Sequence, residues 1–122
     1  MTDITYAPNS VASRALTQAI VVSAANGDNT LVAAPGAGKC LVVASLKGRR
    51  TSGSTASTIV TIKNGATAID YDDFNDVTPK NVFWDGSTII QFRFLAENVA
   101  LVANHSAANS ITYTVRYLIH DV

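Results

Sequence analysis

Among its 122 residues the chain has one cysteine, three prolines and two histidines, and charged side chains make up only 15% of it. Each shortage excludes a class of protein. A single thiol, Cys40, cannot close an internal disulfide, which removes the small secreted scaffold held by disulfides. The amino terminus, MTDITYAPNS, carries Asp3 and no apolar run, so it does not read as a signal peptide. No stretch approaches a membrane helix, which needs about 18 consecutive apolar residues. Both absences point to synthesis in a cytoplasm. Net charge is zero, so nothing draws nucleic acid or an anionic membrane from a distance. The one basic pair, Arg49-Arg50, has no aromatic neighbour for base stacking. His105 and His120 stand far apart without a second ligand pattern, and no metal or other cofactor is implied.

The scarcity of charge also says something positive. A typical soluble domain carries about 25% charged residues. Here the apolar share is an ordinary 48%, and Ala, Ser, Thr and Asn fill the gap. A surface so poor in charge suits a chain whose outside is covered by copies of itself or by a partner.

No segment holds a 3.6-residue period with caps; from residue 17 the period is 2. Ile111, Tyr113, Val115, Tyr117 and Ile119 alternate with Ser110, Thr112, Thr114, Arg116 and His120, with Leu118 the exception, as in a half-buried strand. Ile90, Phe92 and Phe94 alternate with Gln91 and Arg93. Thr17–Ala24, Asn29–Ala33, Ser57–Lys63, Ala66–Tyr71 and Asn98–Ala103 are shorter runs rich in Val, Ile and Thr. Lys39–Lys47 is apolar on both faces, with Cys40, Val42 and Leu46 on one and Leu41 and Val43 on the other. Such a strand is central, or its outer face meets a partner. Asn26-Gly27-Asp28, Pro35-Gly36, Asn64-Gly65, Asp85-Gly86 and Ser106–Asn109 supply the turns. The pattern predicts an all-β fold, an antiparallel eight-stranded β-sandwich of jelly-roll form over residues 17–122, behind an extended arm at residues 1–16.

Four features invite a chemical reading. Ala33-Ala-Pro-Gly-Ala-Gly-Lys39-Cys40 is one residue from a phosphate-binding P-loop. That loop must open a helix and needs a hydroxyl for magnesium. Here a β run follows, and Cys40 stands in the hydroxyl's place, so a turn between strands is the better reading. Asp70, Asp72, Asp73 and Asp76 could ligate calcium, but the segment lacks the glycine and glutamate of an EF-hand loop. Within residues 69–85, read as a long loop, Tyr71, Asp72, Asp73 and Trp84 combine rings with carboxylates as a sugar site does. The plainer alternative is that Phe83 and Trp84 fill the core while the aspartates keep the loop soluble. Arg49 and Arg50 open a polar segment after the two-faced strand, either a solvated connection or a tip that touches a partner. Ser, His and Asp occur without the spacing of a nucleophile motif.

The stretch Asn29-Thr-Leu-Val-Ala-Ala-Pro-Gly-Ala-Gly-Lys-Cys-Leu-Val-Val-Ala-Ser-Leu46 resembles small virion proteins of tailed bacteriophages. In these a short strand, a glycine turn, a lysine and a long strand follow in this order. Lys63-Asn-Gly-Ala-Thr-Ala-Ile69, Ala96-Glu-Asn-Val-Ala-Leu-Val-Ala-Asn104 and the strand Ile111–Ile119 extend the resemblance across about residues 20–120. It implies a β-sandwich, commonly trimeric, serving as a head decoration (cement) protein or as a module of fibres and tails, with no catalytic residues to transfer. The segment 69–85 is longer and more charged than the family's pattern.

The expectation is therefore a non-enzymatic capsid decoration protein. Its partners would be its own copies in a homotrimer and the major capsid protein shell, with no nucleic acid and no membrane. It would be made in the host bacterial cytoplasm and reside on the virion. Leu41, Val43 and Ile59 are the expected subunit contacts. The alternative is a fibre or tail module that reads a host glycan through Tyr71, Asp72, Asp73 and Trp84. A small hydrolase or isomerase on the same fold is a third possibility.

Overall fold

The computed structural model describes residues 16–51, 57–74, 81–87 and 91–122. Among them are nine strands and no helix: β1 (Thr17–Ser23), β2 (Gly27–Val32), β3 (Lys39–Arg50), β4 (Thr58–Asn64), β5 (Thr67–Phe74), β6 (Asn81–Asp85), β7 (Arg93–Phe94), β8 (Leu101–His105) and β9 (Ile111–Asp121). All pairings are antiparallel. Sheet A runs β1-β9-β3-β6, with β7 also on β3; sheet B runs β2-β8-β4-β5. The fold is the all-β antiparallel sandwich that the alternation predicts. It has nine strands instead of eight because β6 lies inside the stretch read as a long loop. The expected arm lies, apart from Leu16, outside the described residues.

The core sits between the sheets, where Leu41, Val43, Leu46, Tyr113 and Val115 of sheet A meet Val60, Ile62, Leu101 and Ala103 of sheet B. Its lining depends on one irregularity in β3. The β3–β9 register runs Leu41↔Ile119 and Val43↔Tyr117, then jumps to Leu46↔Val115, Gly48↔Tyr113 and Arg50↔Ile111. Ala44 is the extra residue of a bulge. Its carbonyl accepts the Gly86 N–H at 2.8 Å. Because strand side chains alternate, one extra residue exchanges the faces. Odd-numbered residues point inward before Ala44; even-numbered ones do so after it. Uninterrupted alternation would place Leu46 with Cys40 and Val42 on the outer face; the bulge returns it to the core.

Both faces of β3 at its start are covered by this chain itself. Outward-facing Cys40 and Val42 form a second cluster with Leu118, closed over by Leu16 and Phe92. Burial raises the pKa of the Cys40 thiol. The two-faced strand is thus central in its own molecule, and its apolar outer face needs no second chain.

Two glycines fit tight places. Gly65 has φ 62° and opens the two-residue turn between Asn64 and Thr67, the arrangement of a II′ hairpin. Gly48 faces the core, where an added Cβ would lie 3.1 Å from Phe74 Cζ and 3.3 Å from Tyr113 Cε1.

Candidate functional site

The P-loop lookalike is a turn from β2 to β3, and the N–H groups of both its glycines are engaged within the chain. Gly36 N–H donates to Asn98 Oδ1 at 3.0 Å and Gly38 N–H to Glu97 Oε2 at 2.8 Å. Gly36 and Gly38 both have positive φ, and no helix follows. The Glu97 carboxylate of the same chain thus takes one of the N–H donors that a phosphate-binding loop would offer.

The residues expected at a subunit contact separate. Leu41 and Val43 are fully buried in the sandwich core. They cannot be subunit contacts, because the phase of β3 before the bulge turns them inward. Ile59 lies on the outer face of sheet B and is 47% exposed.

The expected glycan set does not converge. Trp84 is only 9% exposed. Its indole N–H donates to the Val43 carbonyl at 3.0 Å, and the Arg93 guanidinium lies over its ring at 4.6 Å. It is a core residue with a satisfied polar end. Tyr71, 74% exposed, and Asp73 pair with Thr61 and Ile59 and point outward. Asp72 pairs with inward-facing Val60, so it leaves the strand on the opposite side. Of the aspartates considered for calcium, Asp70 lies 3.9 Å from Arg93, and Asp76 is outside the described residues. Among the described residues no group of three His, Cys, Asp or Glu could hold a metal ion.

Arg49 and Arg50 are the last residues of β3, not a loop. Arg50 is fully buried, and its Nη1 donates to the Phe74 carbonyl at 3.0 Å. It is unavailable to a partner. Arg49 is exposed. Arg50 belongs to a buried polar end of the sandwich. There His105 Nε2 lies 2.6 Å from the Tyr113 hydroxyl, and Asn109 donates to Thr58 Oγ1 at 2.6 Å. Burial lowers the pKa of His105 and raises that of Tyr113 well above the usual phenol range, so both stay neutral.

The outer face of sheet A has a concave feature. A groove of about 300 Å³ is lined by Lys47, Gly48, Arg49, Thr51, Thr112 and Thr114. Lys47 lies opposite Thr114 and Arg49 opposite Thr112 across the β3–β9 pair. On the far side of β9, Ile20 pairs with Thr114 and Val22 with Thr112; both aliphatic side chains are 66% exposed. Val82 pairs with Lys47 from β6. Lys47 Nζ also reaches Asp85 at 3.5 Å, and Arg116 occupies the same face beyond Thr114. The sequence signal for this groove was available in part. Lys47, Arg49, Thr112 and Thr114 each occupy alternate positions on their strands, but only the bulge sets both pairs on one outer face.

No family model matches the chain, and neither a curated protein nor a solved structure matches it.

Proposed function

We propose that this chain is a non-enzymatic structural protein of a bacteriophage virion, a capsid decoration protein that binds the assembled head shell as a homotrimer and stabilises it. The observation that carries the reading is the state of β1. This seven-residue strand, TQAIVVS, has no charged residue. It forms one edge of sheet A and exposes Ile20 and Val22. Free strands of monomeric proteins are usually blunted by charge, proline or a bulge. An edge without those devices suits a chain that meets another chain there.

The resemblance carried by Asn29–Leu46 supports the same reading. So does the strand order, with β1 beside β9 and β2 beside β8, which favours the jelly-roll form of the sandwich. In this reading Ile20 and Val22 join Ile59 as subunit contacts in place of Leu41 and Val43. The mechanism is mass action: a protein that binds the closed lattice and not the loose subunits shifts the balance toward the lattice. Repeating the contact around a threefold axis adds avidity without new kinds of contact.

Incubation with expanded, undecorated heads followed by sedimentation tests the proposal. Co-sedimentation at micromolar protein is expected, and its absence overturns the reading. Exposed Tyr71 beside Asp73 keeps a second reading in view, a tail or fibre module that binds a glycan. Glycan-array binding abolished by Tyr71→Ala would favour it.

A further inference from the structure

Net charge is zero, but the fold distributes the charges unevenly. Among the described residues the outer face of sheet A carries Lys47, Arg49 and Arg116, with the carboxylate of Asp85 beside Lys47. The outer face of sheet B carries Asp28 and Asp73 against Lys63, which is 3.2 Å from Asp28. The groove of sheet A lies within the cationic field, and none of its lining residues is acidic.

From this arrangement we infer that the groove is a binding site for a tetrahedral oxyanion, a phosphate or sulfate group, carried as a monoester on a small polar molecule. Lys47 and Arg49 are alternate residues of one strand, so their Cα atoms are separated by about 6.8 Å. Thr112 and Thr114 face them across a strand spacing of about 4.8 Å. The Cα atoms of two cationic and two hydroxyl residues thus mark the corners of a small rectangle, and Thr51 also lines the groove. A tetrahedral anion over the centre meets a face that offers two cationic side chains and two hydroxyl donors. Arg49 supplies a planar fork suited to two of its oxygens, and Lys47 a point charge. The hydroxyls donate without adding charge.

Arg49 is exposed and forms no ion pair among the described residues. Lys47 is shared with Asp85, which competes with the anion for the ammonium group. A volume of about 300 Å³ exceeds what one bare oxyanion fills and lies at the lower end of small-molecule sites. The surplus space leaves room for the organic part of an ester beside the anion; Ile20 and Val22, on the next strand opposite Thr114 and Thr112, lie outside the groove's lining. The site does not depend on the virion reading; it rests on the outer face of sheet A alone.

The test is a titration of the full chain at constant ionic strength, balanced with chloride and followed by amide NMR shifts. The probes are inorganic phosphate, glycerol 3-phosphate and glycerol. Saturable shifts confined to Gly48, Arg49, Thr112, Thr114 and their neighbours are expected with both phosphates and not with glycerol. Tighter binding of glycerol 3-phosphate assigns an ester as the ligand; equal binding assigns the free ion.

Arg49→Gln should weaken the affinity about tenfold. Asp85→Asn should strengthen it about threefold by releasing Lys47. Arg116→Gln, which removes a charge from the same face but not from the groove, should change it less than about twofold. The inference is overturned if the shifts do not saturate, if they spread over the face, or if glycerol alone reproduces them. It is also overturned if Arg116→Gln is as damaging as Arg49→Gln, since that would leave only a diffuse field.

Discussion

Arg49 and Arg50 are adjacent and chemically identical, yet one faces solvent and the other is sealed in the protein. Their difference is the alternation of a strand applied to a charged pair. Arg50→Ala removes both a buried packing surface and the donor to Phe74, so it should cost about 2–3 kcal/mol in urea unfolding. Arg49→Ala should stay within about 0.5 kcal/mol of the parent. His105 makes the second residue-scale prediction. Burial holds its imidazole below the usual value of 6.5, so the unfolded chain takes up a proton that the folded chain refuses. This contribution is intact above that pH, and stability falls as pH drops through it. Asp28 acts in a separate, more acid window. Its pKa is lowered by hydrogen bonds from Asn104 and then Lys63, and its contribution is lost only as the carboxylate protonates. Unfolding midpoints measured from pH 7.5 to pH 5 should therefore decline, and His105→Gln should flatten that decline while lowering the starting value.

At the scale of elements, β3 governs the layout. Its bulge turns Lys47 and Arg49 out, brings Leu46 and Arg50 in, and sets Gly48 against the Tyr113 ring. Gly48→Ala would press a methyl group into Phe74 and Tyr113, and a loss of about 1–3 kcal/mol is expected from thermal or urea unfolding. β1 is the element most exposed to partners. Val22→Lys places a charge on its open face and should leave the fold intact. It should reduce self-association in analytical ultracentrifugation if β1 is a subunit contact; an unchanged mass distribution would remove β1 from that role. The strand most legible in the sequence was β9, whose alternation is clean; β1 and β4 were marked by their runs of Val, Ile and Thr, and the alternating run at 90–94 supplies only the two-residue β7 among the described residues. β6 was hidden because Phe83 and Trp84 follow a run of aspartates that reads as a soluble loop. β5 carries three of those aspartates through Phe74 without becoming a loop. It is an edge strand, and Asp70 finds Arg93 across the gap between the sheets.

For the whole molecule, the balance of charge and its placement are separate quantities. A total of zero hides a cationic outer face on one sheet and carboxylates on the other, and binding responds to the local field. If the molecule coats a shell, its affinity for heads should rise steeply when three copies act together, so light scattering that gives a trimer should accompany co-sedimentation. Much of the architecture was available from the linear chain: an all-β class, no helix, most strand positions and the turns at Gly27, Gly36 and Gly65. These follow from period-2 alternation and local φ preferences, which depend on near neighbours only. Which side each residue faces could not be read in this way. The bulge at Ala44 depends on pairing with β9 and on Gly86, and it reverses the sense of everything after it in β3. That reversal moved Leu46 and Arg50 inward, left Leu41 and Val43 on the core side, and assembled Lys47, Arg49, Thr112 and Thr114 into a groove. An alternating pattern contains two faces without saying which is inside; long-range pairing makes that choice.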